Sequence, residues 1–474
     1  MERVFILLVA LLVSVQGLAV DGDPVIEYLD GHGGKYVDLA GAIWDRAELG
    51  YLESESSDLL QSALADEGFE IERGVAGIPT AFVASYGHGQ PVIAVLAEFD
   101  ALPGISQSAQ PFRDIVDGKN SGHACGHHLF GAGSTAAAVA VKQWMQTSGT
   151  VGTLRLYGTP AEEGGSGKVY MVRAGLFDDV DVVLHWHPND HNDANPSTSL
   201  ANRSAKFRFH GQSSHAAAAP ERGRSALDGV EAMNYMTNLL REHVPQETRI
   251  HYVITSGGAA PNVVPDFAEV YYYVRHPNAE VLSGIWARVM DAASGAARGT
   301  GTTVESEVIH GNHSLLPNEV LAEVMHANLA RVGGVQYNEV EREFAAMITA
   351  TLNLREDKTG REREVQSLKM SSGMGSTDVG DVSWLVPTTG LNTATWVPGT
   401  SAHSWQAIAA GGMSIGGKGM MVAAKTLALT MLELFQNPEL VAAAKVEMEE
   451  RRGDEFVYKA LLGDRQPPLD YRIN

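Results

Sequence analysis

The feature that most constrains this chain is a nearly continuous apolar run, PVIAVLA, at residues 91–97. A run of this length predicts a strand that is buried on both faces, as in a parallel sheet covered by helices. Strands alternating with helices predict an α/β layer, whose chemistry lies in loops beyond the carboxyl ends of the strands. The next helix and two strands are predicted at residues 129–145, 153–157 and 180–184.

The pattern changes near residue 203. Residues 206–210 alternate polar and apolar side chains, which is typical of a strand with one solvated face. The elements that follow complete a β-α-β-β-α-β order, which is the ferredoxin-like arrangement. They are predicted at residues 225–241, 250–255, 268–274, 279–296 and 302–309.

The sequence therefore predicts two domains, as its length of 474 residues also favours. An α/β catalytic domain is assigned to residues 20–202 and 313–474. A small α+β domain, residues 203–312, is inserted into it. The last 25 residues are polar, which predicts loose packing.

The N-terminus has the pattern of a signal peptide at residues 1–19. An apolar run from Val4 to Val13 is followed by small residues, and it is too short to span a membrane. No later segment is long and apolar enough to do so. We therefore expect an exported protein, in the periplasm. The net charge of −22 argues against a nucleic-acid partner, because such binding needs a basic face.

Four segments carry nearly all the polar residues that suit catalysis, and each follows a predicted strand or opens a helix. Cys125 is the only cysteine, so an intramolecular disulfide is excluded, and a lone thiol is often just a small buried residue. Its histidine neighbours favour a metal ligand instead. The segments are GHACGHH at 122–128, GTPAEEGG at 158–165, HWHP at 185–188 and GTSAHSW at 399–405.

Together the segments supply one thiol, several imidazoles and adjacent carboxylates. This ligand set suits zinc and also admits manganese or cobalt. The set is larger than one catalytic zinc uses, whereas two metals about 3.5–4 Å apart, sharing a bridging ligand, would use all of it. Each segment alone has an ordinary alternative, such as a histidine-rich surface loop or an acidic turn.

These motifs resemble the M20 metallopeptidases, in the aminoacylase-like branch that has a His-x-Cys-Gly-His motif. The similarity is greatest to the group of p-aminobenzoyl-glutamate hydrolase B subunits, and it covers residues 24–440. Further strings that carry the resemblance are AEFDALPG at 97–104, GQSSHAAAAP at 211–220, GSTDVGDVSW at 375–384 and AHSWQ at 402–406.

The resemblance implies a di-metal, aminopeptidase-like catalytic domain with an inserted lid that pairs two chains into a homodimer. Two divalent metal ions per subunit are implied, zinc or manganese, with cobalt also admitted. Glu162 would be the general base, and His215 would reach an active site from the lid. Asn262 and Arg275 would hold a substrate carboxylate. The implied metal ligands are a bridging Cys125, with His127 and His187 at one metal and Glu163 and His403 at the other.

Two positions depart from the family pattern. Glu98 stands where peptidases of the wider family have a histidine ligand, which fits the cysteine branch. His128 replaces the usual Asp or Asn and would add a third imidazole beside the pocket.

The function that follows is metal-dependent hydrolysis of the amide bond of an N-acyl or N-aroyl amino acid, such as p-aminobenzoyl-glutamate. A small carboxylate-bearing amide is thus the expected substrate. A dipeptidase or carboxypeptidase of the same fold uses the same metal site and stays open. A non-catalytic partner subunit is disfavoured, because Glu162 and every expected ligand are present.

Overall fold

The structure is a computed structural model, and it describes residues 23–473. The predicted signal peptide lies outside the described residues. Across residues 23–473 there is no helix whose length and apolar character would suffice to cross a membrane.

Fourteen strands of the described chain form two main sheets and two short pairs, β8–β13 and β4–β5. In chain order the strands are β1 (Glu70–Arg73), β2 (Phe82–His88), β3 (Val92–Ala97), β4 (Leu102–Pro103), β5 (Ser121–Gly122), β6 (Gly152–Gly158), β7 (Val182–Asn189), β8 (Ser197–Thr198), β9 (Ala201–His210), β10 (Arg249–Ser256), β11 (Phe267–His276), β12 (Thr303–Asn312), β13 (Ser371–Ser372) and β14 (Thr388–Ala394).

Twelve α-helices accompany the strands within residues 23–473. They are α1 (Asp23–Arg46), α2 (Ser54–Asp66), α3 (His127–Ser148), α4 (Gly167–Arg173), α5 (Ala226–Leu240), α6 (Ala279–Thr300), α7 (Glu319–Val332), α8 (Glu339–Thr351), α9 (Val379–Ser383), α10 (Trp405–Gly411), α11 (Ser414–Gln436) and α12 (Pro438–Arg452). Short 3-10 turns occur at Val75–Gly77, Pro220–Arg222, Arg241–His243 and Arg361–Arg363.

The larger sheet has the order β1-β2-β6-β3-β7-β14. Strand β3, the apolar run, lies near its centre, is buried at every residue and pairs in parallel with β6 and β7. Strands β7 and β14 are also parallel, whereas β1 and β2 add an antiparallel edge. Helices α3 and α11 pack on the sheet, and α1 packs on these two helices. The predicted α/β class is thus confirmed, with a mixed rather than wholly parallel sheet.

The smaller sheet is antiparallel, with the order β10-β11-β9-β12. Its strands alternate with α5 and α6 along the chain in the β-α-β-β-α-β order, and both helices pack on β9 and β11. It has a separate hydrophobic core that includes Phe207, Tyr272 and Trp286. This ferredoxin-like unit, from β9 to β12, is hereafter called the lid.

The chain after α12 does not pack loosely, so the expectation from its polar composition is wrong. Residues 453–473, called the strap, run across both units. Leu461 is buried in the core of the lid, and its neighbour Leu462 is buried in the core of the large sheet. Arg465 donates hydrogen bonds to Val308 O and Ile309 O at an irregularity of β12. A few apolar side chains and Arg465 thus anchor the strap to both units.

Candidate active site

Parallel strands bring the polar segments to one edge of the large sheet. Asp100 follows β3, Glu162 and Glu163 follow β6, and His187 lies in the last residues of β7. Cys125 precedes α3, and His127 is its first residue. Because these strands are neighbours in the sheet, side chains more than 60 residues apart along the chain meet, as Cys125 and His187 do.

Cys125, His127 and His187 form the first cluster, and their ligand atoms lie within 4.8 Å of one another. Cys125 Sγ is 3.4 Å from His187 Nε2. The other ring nitrogen of His187, Nδ1, is 2.7 Å from Pro188 O, and His127 Nδ1 is 2.9 Å from Asp100 Oδ1. Metal-binding histidines are held in this way, with one ring nitrogen on an oxygen and the other turned to the cation.

Cys125, Glu163 and His403 form the second cluster within the same distance limit. His403 Nε2 lies 3.3 Å from Glu163 Oε1, and the backbone N–H of His403 donates to Ala124 O at 2.8 Å. This backbone bond brings residue 403 beside the Cys125 loop. The two clusters share only Cys125, which is the division of ligands that the family resemblance implies.

The residues fit a pair of divalent ions on the evidence of buried ligand atoms that make no hydrogen bond. His127 Nε2 and Glu163 Oε1 are buried and have no hydrogen bond among the described residues, and they lie in ion-pair contact with Glu98 Oε2 and His403 Nε2 at 3.1 and 3.3 Å. Burying polar atoms without hydrogen bonds is costly, and cations bound to His127 Nε2 and Glu163 Oε1 would satisfy both. Burial and the carboxylate of Glu163 raise the pKa of the Cys125 thiol, whereas a coordinated cation deprotonates such a thiol.

Glu162 lies beside the two metal clusters and lines the same cavity as Cys125, Glu163 and His403. It belongs to a third group of close ligand atoms, with Glu98 and His127. Burial and the carboxylates of Glu98 and Glu163 raise the pKa of Glu162 well above its ordinary range. A carboxyl group whose proton is held more tightly is better suited to accept and return a proton during a reaction.

Asp100 supports both clusters, a role that the sequence analysis did not assign. Its Oδ1 contacts His127, and its Oδ2 accepts the backbone N–H of Glu163 at 2.9 Å. Burial opposes its charge, but the adjacent His127 lowers the pKa of Asp100 below its ordinary value. The sequence signal for this role was the DALP segment at 100–103, because the carboxylate of Asp100 follows the central buried strand β3.

A buried ion triad lies below the metal clusters. Lys168 Nζ is 2.6 Å from Glu98 Oε1 and 2.8 Å from Asp378 Oδ1, and all three side chains are buried. Burial opposes the charge of Lys168, but Asp378 and Glu98 raise its pKa above the ordinary value. The triad compensates the charge that Glu98 brings to a position where the wider family has histidine, and it fixes Glu98 Oε2 toward His127 Nε2 at 3.1 Å.

The backbone is strained in the loop between β6 and α4 and in the loop before α10. Ala161, Ser166 and His403 have φ values of 58°, 61° and 61°, which side chains other than glycine rarely adopt. Glu53 Oε1 accepts the N–H of Ala161 at 2.8 Å and helps to hold the first loop. Such strain persists only where the surroundings enforce it, and it is concentrated at functional sites.

Three other histidines of these motifs, His123, His128 and His185, do not join the clusters. His128 is buried with Nε2 at 3.1 Å from Gly411 O, and burial lowers its pKa to about 3. The expectation of a third imidazole beside the pocket is therefore wrong, because His128 lies on the side of α3 that faces α10. His185 lines the cavity but is in none of the three ligand groups.

The substrate cavity has a volume of about 710 Å³ and lies between the metal clusters and the lid. Arg275, on β11, lines it, whereas His215 and Asn262 do not. Both of these residues lie on neighbouring lid loops, where Ala216 N donates to Asn262 O at 3.0 Å. Within one chain, the structure thus brings together seven of the nine predicted site residues and leaves these two apart.

Comparison with known proteins agrees with this geometry. The model of Peptidase family M20/M25/M40 matches residues 94–406. The chain belongs to this family. It is 42% identical to the B subunit of p-aminobenzoyl-glutamate hydrolase from Escherichia coli K12, over 88% of this chain and 92% of that protein. It is also 29% identical to the Xaa-Arg dipeptidase of Mus musculus, over 87% and 88% of the two chains.

Solved structures confirm the fold. A dinuclear metal-binding M20 peptidase from Bacillus subtilis superposes with a TM-score of 0.56 at 19% identity, covering 85% of this chain and 99% of that chain. Family membership and the ligand clusters make this chain a metallo-amidohydrolase that binds divalent metal.

Proposed function

We propose that this enzyme hydrolyses the amide bond of an N-acyl or N-aroyl amino acid, with a substrate like p-aminobenzoyl-glutamate. The observation that carries the proposal is a single cavity lined by four of the five candidate metal ligands, by Glu162 and by Arg275. A hydrolytic centre and a carboxylate anchor in one cavity suit an amide next to a carboxylate. The name of the bacterial relative adds the acyl group and the amino acid.

Each residue has a distinct part in the proposed reaction. Glu162 takes a proton from the attacking water and passes it to the leaving amine nitrogen. Arg275 binds the substrate carboxylate, because a planar guanidinium can donate two parallel hydrogen bonds to it. Its Nε is buried and has no partner among residues 23–473, so a donor is available for this contact.

Two divalent ions, which we propose to be zinc or manganese, with cobalt as a further candidate, would occupy the clusters. His127 and His187 would hold one, Glu163 and His403 the other, and Cys125 both. When bound, they supply Lewis-acid activation of the water and of the amide carbonyl.

His215 is proposed to act across a homodimer formed by the lids. Its Nδ1 accepts the backbone N–H groups of Ala217 and Ala218 at 3.2 and 3.1 Å, so the ring proton of the neutral form lies on Nε2. This N–H can donate to a carbonyl oxygen as negative charge develops on it. Asn262 lies on the adjacent loop. It would donate a hydrogen bond to the substrate carboxylate in that same active site of the second chain.

The surface of the lid supports pairing through α5 and β10. Large apolar side chains on this face are exposed, and Asn238 on α5 donates to Tyr252 on β10, which joins helix and strand into one patch. Strand β10 is also an edge strand, whose backbone groups can pair with a second chain. The exposed apolar residues of this patch are Tyr235, Met236, Leu239 and Ile254.

Export to the periplasm is proposed from the sequence of residues 1–19 alone. Signal cleavage would be detected as a mature protein that begins close to residue 20, by N-terminal sequencing of protein recovered from the periplasmic fraction. Uncleaved protein in the cytoplasmic fraction would refute it.

The function is tested by a hydrolysis screen of the purified enzyme with zinc, manganese or cobalt added. We expect p-aminobenzoyl-glutamate and N-benzoyl amino acids to be cleaved, and their methyl esters to be poor substrates because Arg275 then lacks its carboxylate. Equal activity on free acids and esters would refute the role of Arg275. Preference for unblocked dipeptides over all N-acyl substrates would favour a dipeptidase.

A further inference from the structure

The strap brings one residue near its end, Arg472, to the substrate cavity. Arg472 lines the cavity, and its Nη2 donates a hydrogen bond to the backbone carbonyl of Glu163. Its guanidinium carbon lies 4.6 Å from the centre of the Tyr471 ring, and that ring contacts Tyr51 edge-on at 5.6 Å. A residue near the end of the strap is thus held beside the loop that carries the predicted base and a predicted metal ligand.

Arg472 and Arg275 lie at the same side of the cavity. The guanidinium carbon of Arg275 is 5.5 Å from the centre of the Tyr273 ring. The Oη of Tyr273 and the Nη2 of Arg472 both approach Gly164, at 4.0 and 3.8 Å from the position that a Cβ atom would take there. Arg472 and Tyr273 therefore both lie near Gly164, and Tyr273 also contacts Arg275.

Both arginines have unused hydrogen-bonding capacity. The Nε atoms of Arg275 and Arg472 are buried and have no partner within the described part of the chain. Across residues 23–473, neither guanidinium forms an ion pair with a carboxylate. Two half-buried guanidinium groups that have no carboxylate partner are available to bind a ligand that supplies anions.

The other basic groups of this side of the cavity are imidazoles. Burial and the nearby charge of Arg275 lower the pKa of His310 to about 4, and the same two causes lower the pKa of His251. At neutral pH the two arginines therefore carry the positive charge here, whereas the carboxylates that line the cavity lie at the metal clusters.

We propose that Arg472 is a specificity-determining residue that binds a second substrate carboxylate, on the side chain of an acidic amino acid. Arg275 then holds the α-carboxylate, so the enzyme selects N-acyl glutamate or aspartate over their amides. The assignment rests on the proposed function, because it takes the Arg275 contact from it. Arg472 acts on binding and touches no reacting bond.

The test compares N-benzoyl-glutamate with N-benzoyl-glutamine, which differ in the charge of one side-chain group. We expect the wild type to prefer the glutamate compound in kcat/KM. Arg472→Gln should reduce this preference by about 10- to 100-fold, mainly through KM for the glutamate compound, because one charge-assisted contact is lost. Arg472→Lys, which keeps the charge but not the fork, should retain part of the preference.

Arg465→Gln is the matched control, because Arg465 anchors the strap on β12 but does not line the cavity. If Arg472 only anchors the strap, both glutamine variants should change kcat/KM for the two substrates by the same factor. An unchanged glutamate-to-glutamine ratio in Arg472→Gln overturns the proposal.

Calorimetric binding of N-benzyl-glutamate and N-benzyl-glutamine, which have an amine in place of the amide, separates this inference from the proposed function. One outcome is that the wild type hydrolyses neither N-benzoyl compound, but binds N-benzyl-glutamate more tightly than N-benzyl-glutamine and loses this preference in Arg472→Gln. That result refutes the proposed function and supports the role of Arg472. The other outcome is that the enzyme hydrolyses the substrates, and Arg472→Gln changes the glutamate-to-glutamine ratio neither in kcat/KM nor in binding affinity. That result refutes only the role of Arg472.

Discussion

The metal clusters and the lid loop of His215 are assembled in different ways. The clusters draw their residues from four segments, and the packing of β3, β6 and β7 brings these within contact distance in a single chain. His215 and Asn262 lie on loops of the lid, outside the cavity that their predicted roles require.

This difference indicates what a single chain can do alone. One copy has the groups to bind metal and to move a proton, but not the donor proposed to stabilise the developing negative charge. In the proposed reaction that donor comes from a second copy, and the exposed patch on α5 and β10 supports this proposal. Substitutions in the clusters and in the lid can test the two regions separately.

The largest effect is expected at Glu162. Glu162→Gln keeps the shape of the side chain and removes its proton transfer, so turnover should fall by roughly 10²–10⁴-fold. Metal content by elemental analysis should be unchanged, because Glu162 is not among the ligands assigned to either ion. Near-normal turnover in this variant would show that another group acts as the base.

Cys125 should have the next largest effect. As the one residue shared by both clusters, it should be replaced poorly by serine, which is a weaker ligand at neutral pH. We expect Cys125→Ser to lose at least one of two metal equivalents, with a matching loss of activity. Full metal occupancy would return Cys125 to the role of a small buried side chain.

Mixing inactive variants tests whether the lid region acts on a second chain. Glu162→Gln and His215→Ala homodimers should both be nearly inactive. After refolding together at a 1:1 ratio, a heterodimer has one site with an intact base and an intact donated histidine. Roughly a quarter of all sites should therefore recover for a two-fold dimer. If verified heterodimers recover no activity, His215 acts on the active site of its own chain or takes no part in the reaction.

The smallest change is expected from disrupting the lid patch at its surface. Leu239→Lys places a charge on α5 and should shift the protein toward monomers in ultracentrifugation, with activity falling as the enzyme is diluted. Val446→Lys on α12 is the control, because both side chains are 54% exposed. Monomeric Leu239→Lys protein with full activity would contradict the need for a partner lid.

Much of this arrangement follows from local sequence. The apolar run of β3 and the alternating strands of the lid predict the two units, because burial on one or both faces leaves a pattern within a few residues. Cys125 and His127, two residues apart before a helix, and the adjacent Glu162 and Glu163 also appear as motifs. The family resemblance then assigned the distant His403, which no local pattern could place.

The residues that escaped prediction depend on non-local contacts. Lys168 is recognisable only once Glu98 and Asp378 are seen on either side of it, since a lysine in a short helix is ordinarily solvated. Arg472 is further from prediction, because a polar tail gives no periodic signal. Its position depends on the anchoring of Leu461, Leu462 and Arg465, each against a different part of the molecule.

The path of the strap also bears on the order in which the enzyme matures during synthesis. Every candidate metal ligand lies at or before His403, whereas Tyr471 and Arg472 are translated later. Because domains begin to fold from the N-terminal side as they emerge, we expect a nascent chain to complete its metal clusters before its substrate cavity. A product released early, after α12, would then keep the hydrolytic centre and lack the cation proposed to select acidic substrates.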